Sequence, residues 1–290
     1  MGLVLSRTTE TTTVCASLGL YACMYLYVKL HKGKCHSKKN LEGKTIIVTG
    51  ANSGIGFETA LDLAKRNGRV ILACRNLERG EAARNKIVQL SGNTDVVCRR
   101  VDLSVMSSIR KFVDVIKEEE GNVDILINNA GVLNLLKRSR GRVVDVGSSA
   151  SVIGKVDCDN LRAEKEFSQL QYHSSKTANL LFTKELARRE PGDVLVCYVH
   201  PGVVRTDAFR NMPLLFKILA YTVFRVLTKS PQEGAQPVLF CALDDSVQTG
   251  SYYMDCALYD HTMWVPKCAY DTGLAKKLWE TTERILSECG

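Results

Sequence analysis

The sequence predicts an α/β fold: a doubly wound, mainly parallel sheet with helices on both faces. Three observations predict it. Short apolar runs alternate with amphipathic stretches from Lys44 onward. A glycine-rich turn joins the first run to the first amphipathic stretch. The runs are continuously apolar, as strands covered on both faces are. The chain of 290 residues is 45% hydrophobic and 24% charged, which suits one large domain with a substantial core.

Two regions are expected, residues 1–39 and residues 40–290. Val14–Val28 is apolar throughout and is followed by the basic stretch KLHKGKCHSKK. Residues 29–44 hold six lysines against Glu42, an excess of five of the chain's eight net positive charges. The run is short for a bilayer span of about 20 residues, and Thr11–Thr13 and Leu30 extend it. Tyr21, Tyr25 and Tyr27 suit an interface. A cleaved signal peptide carries its positive charge before the apolar run, and here the order is reversed. The expectation is therefore an anchor whose basic flank keeps the following domain in the cytosol. No basic helix with interleaved aromatics points to nucleic acid. The eleven cysteines are scattered without a C-x-x-C pair, so they read as reduced, small apolar residues with no structural metal.

Lys44–Val48 reads as the first strand. Thr49–Gly56 (TGANSGIG) follows, then a helix, FETALDLAKRNG, ended by Gly68. Gly50, Gly54 and Gly56 allow a tight turn and close approach to a pyrophosphate, which the helix N-terminus would receive. This strand–glycine–helix unit is that of a Rossmann-type dinucleotide site. The second strand, Arg69–Ala73, leads to Arg75, where an NAD site would carry an acid for the ribose hydroxyl. A guanidinium fork suits a 2′-phosphate instead, so the expected cofactor is NADP(H). The third strand, Val96–Val101, ends in Asp102 and Leu103, placed to flank an adenine. Ile125–Ile127 leads into Asn128-Asn129-Ala130-Gly131, and Arg142–Val146 leads into Gly147-Ser148-Ser149. Tyr172 and Lys176 lie four apart on a helical stretch and share a face.

With TGANSGIG at 49–56, Asp102-Leu103, NNAG at 128–131, Ser148, YHSSK at 172–176 and Pro201-Gly202, the chain resembles the short-chain dehydrogenase/reductase family. ACRN at 73–76, SSKTANLLFTKELARR at 174–189, HPGVVRT at 200–206, SPQEGAQ at 230–236 and KLWE at 277–280 resemble its membrane-anchored, NADPH-preferring retinol dehydrogenase branch. The resemblance implies a cofactor site formed by Gly50, Asn52, Ser53, Gly54, Ile55, Gly56, Arg75, Asp102, Leu103, Asn129, Tyr172, Lys176, Val204 and Thr206. It implies catalysis by Ser148, Tyr172 and Lys176 on a small lipophilic carbonyl or alcohol such as retinal or retinol. It also implies an intracellular membrane, the endoplasmic reticulum or another. Asp145 and Gly147 depart from the family's usual Asn and Ser.

The chemistry follows from the side chains. A tyrosine of ordinary pKa near 10 is a poor base at neutral pH, and a nearby ammonium favours its phenolate. Tyr172 would give a proton to a carbonyl oxygen as hydride arrives, and take one in reverse. Ser148 would hold the same oxygen. Residues 207–229 form an apolar stretch that, by the resemblance, covers the substrate. His173 should face away from Tyr172, and Trp264 and Trp279 should be packing residues.

Parallel neighbours need a crossover of about a dozen residues or more, usually a helix. Val132–Gly141 makes at most about two helical turns, roughly 15 Å, although extended it reaches about 33 Å. The family's long helix at this point carries a fourth catalytic residue, an asparagine, with no counterpart here; LNLLKRS at 133–139 resembles that helix's last turns. The chain is about thirty residues shorter than the family pattern at this crossover. The expectation is a bare patch on one sheet face and a family dimer that loses part of its packing. Two readings follow. One is an active NADP(H)-dependent oxidoreductase. The other is a non-catalytic or impaired NADPH-binding membrane protein.

Overall fold

The apolar runs become the strands of one eight-stranded sheet, and the stretches between them become its helices. The computed structural model describes residues 32–130, 141–161, 170–190, 194–205, 228–260 and 265–288, with single positions at 19, 22, 23, 25, 26, 29, 192 and 263. The strands are β1 (Thr45–Thr49), β2 (Arg69–Cys74), β3 (Val96–Arg100), β4 (Ile125–Asn128), β5 (Arg142–Val146), β6 (Leu195–His200), β7 (Tyr252–Met254) and β8 (Ala257–Leu258). The helices are α1 (Gly54–Lys65), α2 (Leu77–Ser91), α3 (Met106–Glu120), α4 (Leu170–Arg189), α5 (Pro231–Leu243) and α6 (Thr272–Glu288). Three-residue and four-residue 3₁₀ turns complete the described elements.

The strand order is β3-β2-β1-β4-β5-β6-β7-β8. Every pair is parallel except β7 with β8. After β1 the chain winds one way to β3, then returns to place β4 on the other side of β1. That reversal opens a crevice at the carboxyl ends of β1 and β4, where such sheets bind ligands.

β4 and β5 are direct parallel neighbours, in the register Ile125↔Arg142 to Asn128↔Asp145. Their connection runs from 129 to 141, and 131–140 lie outside the described residues. The short crossover is therefore compatible with regular pairing. Among the described residues, no bare patch is found on the face that α3 and α4 cover. Leu126, Val143 and Val196 on that face are buried in one cluster with Phe112 and Ile116 of α3, Leu186 of α4 and Trp279 of α6. Leu274 and Leu278, and Ala275 and Trp279, recur at the helical spacing that gives α6 its apolar stripe. The stripe lies on α4, where Trp279 stacks on Phe182 at 4.6 Å, and near its end the Leu286 carbonyl accepts from Arg110 of α3. The C-terminal helix thus spans α4 and α3 on this face. The opposite face packs Val48, Leu72, Ile127 and Val144 against Leu63 of α1 and Val238 of α5.

α1 ends before Gly68. The left-handed position is Asn67 (φ 66), and Gly68 is required by space, since a Cβ there would lie 2.6 Å from Ile46 Cδ1. Among the described residues no helix is long and apolar enough to cross a membrane. The expected anchor, the apolar stretch through residue 227, LNLLKRS and Trp264 fall mainly or wholly outside the described residues.

Candidate active site

The glycine loop is built by close approach. Gly50 (φ 64) and Gly54 (φ 59) take left-handed backbone that disfavours side chains. A Cβ on Gly56 would sit 2.6 Å from the Gly50 carbonyl oxygen and 2.7 Å from Asn129 Nδ2. Asn129 Nδ2 donates to the Thr49 carbonyl at 2.9 Å, and the Ala130 N–H donates to the Thr49 hydroxyl at 3.0 Å. Asn129 and Ala130 therefore hold the end of β1 where the glycine loop begins. Ser53 begins α1 without a side-chain cap. The first-turn N–H groups of a helix need partners from outside the helix.

Two cavities meet at Gly50. One, of about 310 Å³, is lined by Asn52, Arg75, Asp102 and Leu103, all expected, and by Arg79. Arg79 was not read from the sequence; it sits in the first turn of α2, three residues past the N-cap Asn76. Asn76 caps α2 by accepting from the Arg79 N–H at 2.8 Å, which fixes the turn carrying both arginines. The Asp102 carboxyl is held below its usual range by the Ser104 hydroxyl, at 2.6 Å, and the Ser104 N–H, at 3.0 Å.

The second cavity, of about 480 Å³, brings Ser148, Tyr172 and Lys176 together with Ser53, Gly54, Ile55, Asn129 and Val204. β5 delivers Ser148 and α4 delivers the other two. Tyr172 is 56% exposed, so it stands open toward the cleft. The Lys176 ammonium lies 5.9 Å from the centre of the Tyr172 ring and donates to the Val146 carbonyl at 3.3 Å. Ser148 starts a 3₁₀ turn, its hydroxyl accepting from the Ala150 N–H at 3.2 Å. His173 does not simply face away: its ring meets that of Tyr172 edge-on at 6.0 Å. Gly56 lies behind the loop and does not line either cavity.

Three supporting residues were missed. Tyr198 is fully buried on β6. Its hydroxyl accepts from the Ser148 N–H and donates to the Lys176 carbonyl, each at 3.2 Å, and burial pushes its pKa up to about 12. Its ring explains Gly147, because a Cβ there would lie 1.9 Å from Tyr198 Cζ. Asp145 is buried beside the end of β4, where Asn128 Nδ2 donates to it at 2.7 Å. His200 is 6% exposed, and burial, then the Lys229 charge, lower its pKa to about 4.

The loop after β6 closes the site. Val204 bridges Lys229, with the Lys229 N–H donating to the Val203 carbonyl at 2.7 Å and the Arg205 N–H donating to the Lys229 carbonyl at 3.0 Å. The Lys229 ammonium pairs with Asp255, and its chain passes under Gly202, where a Cβ would come within 2.9 Å of Lys229 Cε. Thr206 lies outside the described residues.

Known proteins are similar to this chain in sequence and fold. The family profile described as short chain dehydrogenase matches residues 44–137. Human retinol dehydrogenase 11 is 38% identical, with 89% of this chain and 90% of the relative covered. Bovine dehydrogenase/reductase SDR family member 13 is 36% identical, covering 92% and 79%. The alignment with the human protein runs to 292 positions but uses about 258 of this chain's 290 residues, so about 34 positions pass without one. Among solved structures, an uncharacterised protein from Mycobacterium paratuberculosis superposes with a TM-score of 0.64 at 27% identity, over 88% of this chain and 98% of that one. L-Sorbose reductase from Gluconobacter frateurii, complexed with NADPH and L-sorbose, gives 0.59 at 20% identity, over 75% and 97%, a likeness of fold. By its sequence relatives, its sheet and its glycine loop, the chain belongs to the short-chain dehydrogenase/reductase family.

Proposed function

We propose that the chain is an NADP(H)-dependent oxidoreductase that interconverts retinal and retinol, or related lipophilic aldehydes, ketones and alcohols. The observation that carries this reading is the shared cavity of Ser148, Tyr172 and Lys176, which has Gly50 as a common wall with the pocket of Arg75. The residues fit a dinucleotide. The helix start at Ser53, without a side-chain cap, and the glycine loop at Gly50 and Gly54 that lines the cavity suit a pyrophosphate. The Arg75 and Arg79 guanidinia suit a 2′-phosphate. Asp102 and Leu103 would flank the adenine, and Asn129, Lys176, Val204 and Thr206 the nicotinamide side. Reduced nicotinamide bound there would supply the hydride.

The chain's own groups would then move the proton. Ser148 donates a hydrogen bond to the carbonyl oxygen and fixes it. Tyr172 gives its hydroxyl proton to that oxygen, and recovers it in the reverse direction. The Lys176 ammonium favours the tyrosinate left behind. The relatives named for retinol support the substrate class. Tyr172→Phe in the full chain should abolish NADPH-dependent retinal reduction; unchanged turnover would remove the proposal.

The connection of only residues 129–141 between β4 and β5 favours a second reading, an NADPH-binding protein without turnover. Robust retinal reduction by the purified full chain would sink it. We also infer that residues 1–39 anchor residues 40–290 on the cytosolic side of an intracellular membrane, from the apolar run and its basic flank. Release of the protein by alkaline carbonate washing of membranes would contradict that placement.

A further inference from the structure

The chain between the apolar run and β1 is not a loose tether. The Lys32 ammonium donates to Glu233 Oε2 of α5 at 2.9 Å. The Cys35 N–H donates to the Gln236 side chain, one turn further along α5, at 3.1 Å. Arg66, at the end of α1, donates to the Ser37 carbonyl at 2.7 Å, and the Leu41 N–H donates to the Arg66 carbonyl at 2.7 Å. Cys35 and Leu41 are buried.

Gly33 makes the tightest contact. A Cβ there would lie 1.9 Å from the Asp255 carbonyl oxygen, and backbone cannot swing aside as the end of a side chain can. Asp255 and Cys256 turn the chain after β7 with φ of 50 and 59, left-handed values that side chains rarely adopt. Such backbone persists where its surroundings hold it, and Gly33 is part of those surroundings.

Two routes lead from this segment to the cavity of Tyr172. In the first, the Asp255 carboxylate pairs with the Lys229 ammonium. Lys229 is 6% exposed, and its backbone joins Val203 and Arg205. In the second, Glu233 Oε2 accepts from Lys32 and also from the Ser230 N–H, at 2.8 Å, so Lys32 meets the capping box that starts α5. The next residue, Gly234, makes room for Val204, whose Cγ2 would lie 2.6 Å from a Cβ there. Both routes end on one loop, and Gly202, Val203 and Val204 of that loop line the cavity.

We propose that residues 32–37 form a strap on the active site. Lys32 and Gly33 are positioning residues that fix the Gly202–Val204 loop, the first through Glu233 and the second through the Asp255–Lys229 pair. This rests on the reading that the loop lines the nicotinamide half of the cofactor. A loop that is competent for only a fraction of the time raises the dissociation constant by the inverse of that fraction. The Lys32 pair is partly exposed, so its share is modest. Gly33 is the stronger lever.

Calorimetry on the full chain compares NADPH with adenosine 2′,5′-bisphosphate, which carries the adenine and 2′-phosphate but no nicotinamide. Gly33→Ala should weaken NADPH about threefold or more and leave the bisphosphate unchanged. Unchanged NADPH affinity overturns the proposal. Equal weakening of both ligands also overturns it, since that marks a general structural loss. Should Gly33→Ala fail to fold, the Lys32 variants decide. A smaller weakening of NADPH alone in Lys32→Ala, reversed in Lys32→Arg, supports the strap, and no weakening overturns it. An unaltered chain that binds NADPH no more tightly than the bisphosphate refutes the nicotinamide reading and the strap with it. The expected split between ligands in a chain that reduces no retinal would refute the proposed turnover and support this inference.

Discussion

At Gly147 a neighbour decides the residue. The Tyr198 ring fills the space a Cβ would need, with Cζ at 1.9 Å and the hydroxyl oxygen at 2.1 Å, and the same hydroxyl joins Ser148 to α4. Gly147→Ala should therefore cost about 1–3 kcal/mol, as overpacking does, and lower turnover by displacing Ser148. Urea denaturation of Gly147→Ala, Tyr198→Val and the double variant should give a non-additive cycle, with much of the glycine variant's loss absent once the ring is removed. Additive losses would mean the ring does not set the residue. His200 makes a different prediction. Its imidazole is neutral and buried, with a folded pKa near 4 against an ordinary 6.5. Between those values the unfolded chain binds a proton that the folded chain does not. Stability is therefore lost as pH falls from about 6.5 to about 4, at about 1.4 kcal/mol per unit. The difference in stability between pH 7 and pH 4.5 should be smaller in His200→Asn than in the unaltered chain. Equal differences would show that His200 titrates normally.

Among the elements, α6 carries the most unexpected burden. A sheet face deprived of a crossover helix has to be covered, because each large apolar side chain hidden there is worth about 1.5–3 kcal/mol. Trp279 covers part of it, 8% exposed, stacked on Phe182 on one side and with the Arg189 guanidinium 4.8 Å from its ring. Trp279→Ala should cost about 3–5 kcal/mol. Trp279→Phe should cost much less, since it keeps the stack and removes a buried indole N–H that has no hydrogen-bond partner among the described residues. Chemical denaturation of both variants checks the order, and equal costs would mean that α6 is only loosely docked. The strands around this face were legible, because Ile125–Ile127 and Arg142–Val146 are apolar runs bounded by turn residues. The role of α6 was not. Its stripe shows that one face is buried but not which partner buries it. The same limit hid Asp145 and Tyr198. Their partners Asn128, Thr183 and Lys176 are remote in sequence and come together only through strand register and the seating of α4.

For the molecule as a whole, the question is whether the crevice at the strand reversal survives a shortened crossover as a working dinucleotide site. The glycine loop was legible because left-handed turns call for glycine; the clamp of Asn129 on Thr49 was not, since it forms only when β4 pairs beside β1. The geometry sets both cavities on the carboxyl ends of β1, β2, β4, β5 and β6, so ligand binding should stabilise the parallel core rather than a peripheral loop. A ligand at a hundred times its dissociation constant stabilises the folded state by about 2.7 kcal/mol. At equal concentrations, NADPH should raise the melting temperature of the full chain more than NADH does. Arg75→Glu should abolish that preference, because a carboxylate repels the 2′-phosphate and accepts from ribose hydroxyls instead. Arg79→Ala should weaken the preference without reversing it, since Arg75 still lines that pocket. Equal shifts with the two nucleotides would detach Arg75 from phosphate recognition. A cooperative melt that neither nucleotide moves would mean that the fold closes around its short crossover while the site does not.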